Sequence, residues 1–162
     1  MLLSAFSARP FWNSGVLGPL FLVSGLSTAA VLPLLAGVGT TEKRFFEGSD
    51  MTLIAVELTL IGLFLISLAT GAGQHLEALY LVWGGDYTVP FWLWFVLPGL
   101  LIPLLLEILA LRGNRLSGLT AAVLVVFGGF MLRYLMVEIG QVSTWTDYAV
   151  QFDPQLLQRL MQ

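Results

Sequence analysis

The stretch "SGLTAAVLVVFGGFMLRYLMVEIG", residues 117–140, is apolar throughout except for Arg133 and Glu138. A bilayer core about 30 Å thick needs roughly 20 such residues in a helix rising about 1.5 Å per residue. It therefore reads as a membrane-spanning helix. Three further stretches have the same character: "GVLGPLFLVSGLSTAAVLPLLAG" at 15–37, "MTLIAVELTLIGLFLISLATGAG" at 51–73 and "FWLWFVLPGLLIPLLLEILAL" at 91–111. The expected fold class is an all-α integral membrane protein. Its four transmembrane helices form one bundle and one membrane domain over residues 1–162.

Composition agrees. Of 162 residues, 57% are hydrophobic and 10% charged, with a mean hydropathy of +0.89. Soluble domains carry about 25% charged residues. The net charge of −3 comes from few groups, and no basic run points to nucleic acid. The absence of cysteine excludes disulfides, thiolate nucleophiles and Cys-ligated iron–sulfur clusters in this sequence. The opening "MLLSAFSARPFW" lacks the charged start of a signal peptide.

Basic residues near span ends mark the cytoplasmic side. Lys43, Arg44, Arg112 and Arg115 fall in the first and third connections, the polar loop "TTEKRFFEGSD" and the tight turn "RGNR", while the second connection reads as the longer loop "QHLEALYLVWGGDYTVP". Arg9 and the distant Arg159 lie on the other side, with Glu77, Asp86, Asp147 and Asp153. Both termini are therefore expected outside. Trp83, Tyr87, Phe91, Trp92 and Trp94 gather at the outer end of the third span. They read either as a headgroup anchor or as a surface lining a quinone. Pro98 and Pro103 should kink that span. Gly25 and Ala29, with Ser24, Ser27 and Thr28 nearby, suggest close helix packing.

Glu57, Glu107, Arg133 and Glu138 are the charges inside the spans. Each costs about 2.5–3.5 kcal/mol near the bilayer centre, so each should face the bundle interior, pair, or line a polar path. Counting along the helices puts Glu57 roughly 7–8 Å and Glu107 roughly 9 Å to the cytoplasmic side of the middle, at one level. Arg133 falls about 6 Å to the outer side, with Glu138 nearer the outer end. Arg133 and Glu138 are about 140° apart on the wheel and do not pair. A Glu57–Arg133 contact has to bridge about 13 Å, through water or another side chain, unless Arg133 is held by backbone carbonyls. These four are the candidate proton path; the alternative is that each charge snorkels or pairs to fix helix packing.

His75 is the single histidine. One histidine argues against a buried haem with two histidine ligands, and no ligand spacing suggests a metal. It reads as an interfacial hydrogen-bonding residue or as a quinone or proton ligand. No catalytic Ser/His/Asp set, phosphate loop or nucleotide fingerprint occurs.

"PFWNSGVLGPLFLVSGLSTAA" resembles the opening of the second four-helix bundle in NrfD/polysulfide reductase membrane subunits. "GGFMLRYLMVEIGQ" is similar to the close of that bundle, and "GGDYTVPFWLWFVLPGLLIPLLLE" to the helix between. Trp12, Asn13, Arg133, Tyr134, Gly140 and Gln141 match recurring positions of the family, and Glu57 lies where members often carry an acid in a proposed proton path. The resemblance implies half of a two-bundle subunit, with "LLSAFSA" at residues 2–8 as the tail of a preceding helix. It implies a membrane anchor of molybdopterin oxidoreductases that exchanges electrons between quinone (menaquinone or ubiquinone) and a docked iron–sulfur subunit. The better-supported quinone site of such proteins belongs to the first bundle.

The expectation is thus a quinone-interacting subunit of a respiratory complex in a prokaryotic cytoplasmic membrane, with no haem or iron–sulfur cluster of its own. Its partners would be an iron–sulfur subunit, a molybdopterin-type catalytic subunit, another NrfD-like membrane bundle and lipid. His75, Trp83, Tyr87 and Gln141 are the quinone-proximal candidates. Two readings from other classes stand beside it: a non-redox scaffold anchoring an extrinsic complex, and a small transporter that oligomerises.

Overall fold

The computed structural model describes residues 9–37, 39–71, 73–111 and 115–143. All regular structure among them is helical. α1 spans Leu17–Ala36, α2 Thr40–Ala69 and α3 Gly73–Trp83. A π-helical segment, Pro90–Leu101, leads directly into α4, Ile102–Leu111, and α5 spans Arg115–Val142. Four stretches are long and apolar enough to cross a bilayer: Leu17–Ala36, Phe45–Ala69, Pro90–Leu109 and Leu119–Val142. The chain is a multi-pass membrane protein. The expected helix tail at residues 2–8, together with Arg112, Asp147, Asp153 and Arg159, lies outside the described residues.

The bundle closes as a ring. α1 packs on α2 and α5, α5 on the π-helical segment and α4, and α4 on α2. Residue spacing shows why. Along α2 the buried positions are Glu47, Asp50, Ile54, Glu57, Ile61, Phe64 and Leu68, in alternating steps of three and four. Along α1 the buried side chains are Leu17, Leu20, Ser24, Ser27 and Val31, with the same alternation, beside the buried Gly18. A repeat averaging 3.5 residues keeps one seam of each helix against its neighbour. The opposite faces carry Leu22, Leu26, Leu63, Ile66, Leu93, Val123 and Phe130, all exposed and apolar, as lipid contact requires.

The ends are tied by few groups. Gly37, with φ of 82°, adopts the left-handed conformation that closes α1, and its N–H donates to the Leu34 carbonyl. Arg9 donates to the Gln141 carbonyl at 2.8 Å and the Ser143 carbonyl at 3.3 Å, so a cation caps the end of α5. The Trp12 indole lies on Gly140 and donates to the Met136 carbonyl at 2.8 Å. Phe11 meets Phe64 edge to face at 5.1 Å beneath them.

Four expectations need correction. Most of "TTEKRFFEGSD" is not loop, because α2 starts at Thr40 and its spanning part at Phe45. Glu42, Lys43 and Glu47 are good helix formers, so the helix extends past its apolar run. The second connection holds α3, whose Ala78 and Val82, one turn apart, are buried while Tyr80 and Trp83 face outward. Pro98 lies inside a longer departure from α-helical bonding than a simple kink, and Pro103 stands in the first turn of the α-helix that follows it. Pro98 has no N–H to give, and bonding shifts to a five-residue register, with Ile102 N–H on the Leu97 carbonyl. Gly25 and Ala29 do not form a helix–helix contact together. Ala29 falls off the Ser24–Ser27–Val31 seam and is exposed. The close approach is made instead by Gly99 and Gly128, whose backbones touch.

Candidate functional site

Two polar centres sit inside the apolar ring, both on the α2 seam. The first surrounds Asp50 and Glu107, whose relative exposures are 0% and 3%. Asp50 comes from α2 and Glu107 from α4, and their carboxyls stand within hydrogen-bonding reach of each other. Ser27 of α1 donates to Asp50 Oδ1 at 2.5 Å. Asp50 Oδ2 and Glu107 Oε2 are both buried and receive no other donor. Glu47, one turn earlier on α2 and also buried, adds negative charge near Glu107.

The second centre surrounds Glu57, 3% exposed. Its carboxyl faces the Ser24 hydroxyl, and Arg133 is the positive charge acting on it. Ser24 Oγ is itself buried and makes no well-formed hydrogen bond. Arg133, half-buried on α5, reaches back one turn and donates to the Gly129 carbonyl. A Cβ on Gly25 would stand 3.6 Å from Arg133 Nη2, and one on Gly129 2.6 Å from Thr28 Oγ1 and 3.0 Å from Arg133 Nη1. Gly25 and Gly129 thus leave the room that the guanidinium occupies between α1 and α5.

This geometry revises the expected depths. The spanning part of α2 is centred on residue 57, so Glu57 lies at mid-membrane. Asp50 is about 10 Å nearer the Thr40 end. Glu107, about 11 Å from the middle of its own span, therefore levels with Asp50 and not with Glu57. Arg133 starts only about 4 Å beyond the middle of Leu119–Val142, and its side chain points back toward Gly129. The expected 13 Å gap to Glu57 narrows: the carboxyl and the guanidinium lie near one depth and act on each other through charge, without a direct ion pair.

The remaining candidates lie at the other end of the bundle. Glu138 is half-buried and acts on the Tyr87 hydroxyl, not on Arg133. Burial first, and then the charges of Glu138, Tyr134 and Asp86, push the Tyr87 phenol upward from its ordinary pKa. Trp83 is exposed and meets Trp92 edge to face at 5.3 Å, while Trp92 donates to the Val82 carbonyl at 2.9 Å. Of the expected aromatic belt, Phe91 belongs to the core, and Trp83 and Trp94, joined by Tyr80, face outward. Gln141 is exposed, with its backbone carbonyl taken by Arg9. His75 packs on Gly71 at the turn between α2 and α3. Among the described residues no group of three or more His, Cys, Asp or Glu side chains is placed to hold a metal.

Sequence reasoning missed Asp50 and Glu47, assigning both to a loop, and gave Ser24 and Ser27 only a packing role. The signal was present: Asp50 and Glu57 are seven apart, the interval that keeps two residues on one seam.

A family profile described as "Polysulphide reductase, NrfD" matches residues 1–144. The chain is 32% identical to Protein NrfD of Escherichia coli over 154 residues, covering 88% of this chain and 48% of that protein. It is 32% identical to the NrfD homolog of Haemophilus influenzae over 152 residues, covering 88% and 47%. Against the C subunit of polysulfide reductase from Wolinella succinogenes the identity is 28% over 151 residues, covering 86% and 48%. No solved structure matches. The chain spans about half the length of these curated relatives. A match over residues 1–144, carried by a four-span bundle, leads to one conclusion: the chain belongs to the NrfD polysulphide reductase family.

Proposed function

We propose that this chain forms one four-helix bundle, the second of two, in a quinone-interacting membrane subunit of a respiratory oxidoreductase. The observation that carries this reading is the buried polar file from Glu47 through Asp50 and Glu107 to Glu57 and Arg133. Charges so deep in an apolar bundle are costly and mark a path for ions or protons. In this reading Glu57 and Glu107 carry protons linked to quinone chemistry, and Arg133 stabilises charge on a carboxylate at mid-membrane. Electrons pass between quinone (menaquinone or ubiquinone) and an iron–sulfur subunit, which in turn serves a molybdopterin-type catalytic subunit. The polysulfide reductase relative supports partners of this class.

Mass spectrometry of the native complex tests it. An iron–sulfur subunit, a further NrfD-like bundle and a quinone should copurify with this chain. Their joint absence would replace the reading with a non-redox scaffold.

The location in this reading is the cytoplasmic membrane of a prokaryote, with both termini outside. Lys43, Arg44, Arg112 and Arg115 set that orientation. A Gly85→Cys variant should react with an impermeant thiol reagent added outside, and Asn114→Cys should be protected. The opposite pattern would reverse the orientation.

A further inference from the structure

We propose that Asp50 and Glu107 form a proton-binding site in which the two carboxyls share one proton between Asp50 Oδ2 and Glu107 Oε2. The geometry requires a donor there. Both oxygens are buried and neither receives a hydrogen bond, while the two carboxyls stand within hydrogen-bonding reach of each other. Two ionised carboxylates in contact repel strongly in a low-dielectric interior, whereas one proton between them satisfies both. Ser27 occupies Asp50 Oδ1 and so fixes which oxygen turns toward Glu107.

The surroundings make this pair a place to load and unload a proton. Glu47 and Glu57 on α2 are the charged groups that act on its members, and α1 contributes the Ser27 hydroxyl. Glu47 lies one turn toward the Thr40 end, the nearer surface of the membrane. Glu57 lies two turns farther in, and Asp50 acts on it through charge. With one proton the pair is a monoanion. On taking a second from water at the Thr40 end it becomes neutral, and on giving one to Glu57 it returns to the monoanion. What the proton does in turnover rests on the quinone-linked reading; the sharing of the proton does not.

Infrared spectroscopy of the purified complex reads the site directly through the C=O stretch of a protonated carboxyl. The unaltered complex should show such a band. Glu107→Gln and Asp50→Asn should each remove the same component of it, apart from any contribution of a protonated Glu57, because each new amide donates to the remaining carboxylate and takes the place of the shared proton. Glu77→Gln, at the exposed end of α3, should leave the band intact. Both test variants keep the shape of the native side chain, and either suffices if the other fails to accumulate. Absence of the band from the unaltered complex overturns the proposal, and so does a band left undiminished in either variant. If the band behaves as expected but no quinone or iron–sulfur subunit copurifies, the proton site stands and the quinone-linked reading falls. If the partners are present and the band does not respond, only the proton site is lost.

Discussion

Gly128→Ala is expected to lower the amount of subunit accumulating in the membrane by roughly tenfold. The added methyl would lie 2.5 Å from Gly99 Cα and 2.7 Å from the Gly99 carbonyl oxygen. Both are backbone atoms, so no side-chain rotation relieves the contact and the helices must separate. Overpacking of this kind costs about 1–3 kcal/mol. The lower part of that range already corresponds to about a tenfold shift in a folding equilibrium. Small residues carry the close contacts of membrane helices, where apolar surface alone supplies little net attraction between them. Gly99→Ala should behave similarly, its methyl falling 2.7 Å from Gly128 Cα. Gly62→Ala is the control, with nothing within 4 Å of the new carbon. Immunoblotting of membranes at equal expression measures all three. Equal levels of the Gly128 and Gly62 variants would mean that the two helices do not meet this closely.

The four spans were legible because length and apolarity alone decide them, and 15–37, 91–111 and 117–140 each fall within about two residues of the observed spanning helix. The second span was read from Met51, whereas its helix continues back through Asp50 and Glu47. That error follows from equating a span with an uninterrupted apolar run. A buried seam needs only every third or fourth residue to face inward, and three of its positions on α2 are acids. Starting and ending the span too late displaced its estimated middle by five residues, and with it the level of Glu57 relative to Glu107. Glu57, Glu107 and Arg133 were legible as interior groups from their cost in lipid. Their partners were not. Which helices adjoin is set by the ring of contacts among α1, α2, α4 and α5, and single-helix periodicity carries no information about that ring. The π-helical register of Pro90–Leu101 was equally out of reach, since a proline announces a lost hydrogen bond but not how the chain rearranges around it.

Arg133→Met should be the most damaging single change in the bundle, and its cause can be isolated by a second substitution. Methionine fills the space between α1 and α5 but removes the charge beside Glu57 and the bond to the Gly129 carbonyl. Removing one partner of a buried charge pair costs about 3–5 kcal/mol, because the other is left uncompensated. Arg133 is half-buried and acts on Glu57 through charge without a direct ion pair, so the effect falls below that range, at about 2 kcal/mol or roughly thirtyfold. Replacing both charges leaves no orphan. The double variant Arg133→Met/Glu57→Gln is therefore expected to accumulate better than Arg133→Met alone, while still lacking the proton-coupled turnover that the quinone-linked reading assigns to the complex. Non-additivity of the two changes is the quantity to measure, as the double-mutant cycle isolates their interaction. If the double variant accumulates no better than the single one, Arg133 acts through its hold on α5 and not through Glu57. If Arg133→Met accumulates and turns over normally with coupling intact, the guanidinium serves neither packing nor proton transfer. In that case the polar file would have to end at Glu57, with the Ser24 hydroxyl as its last group.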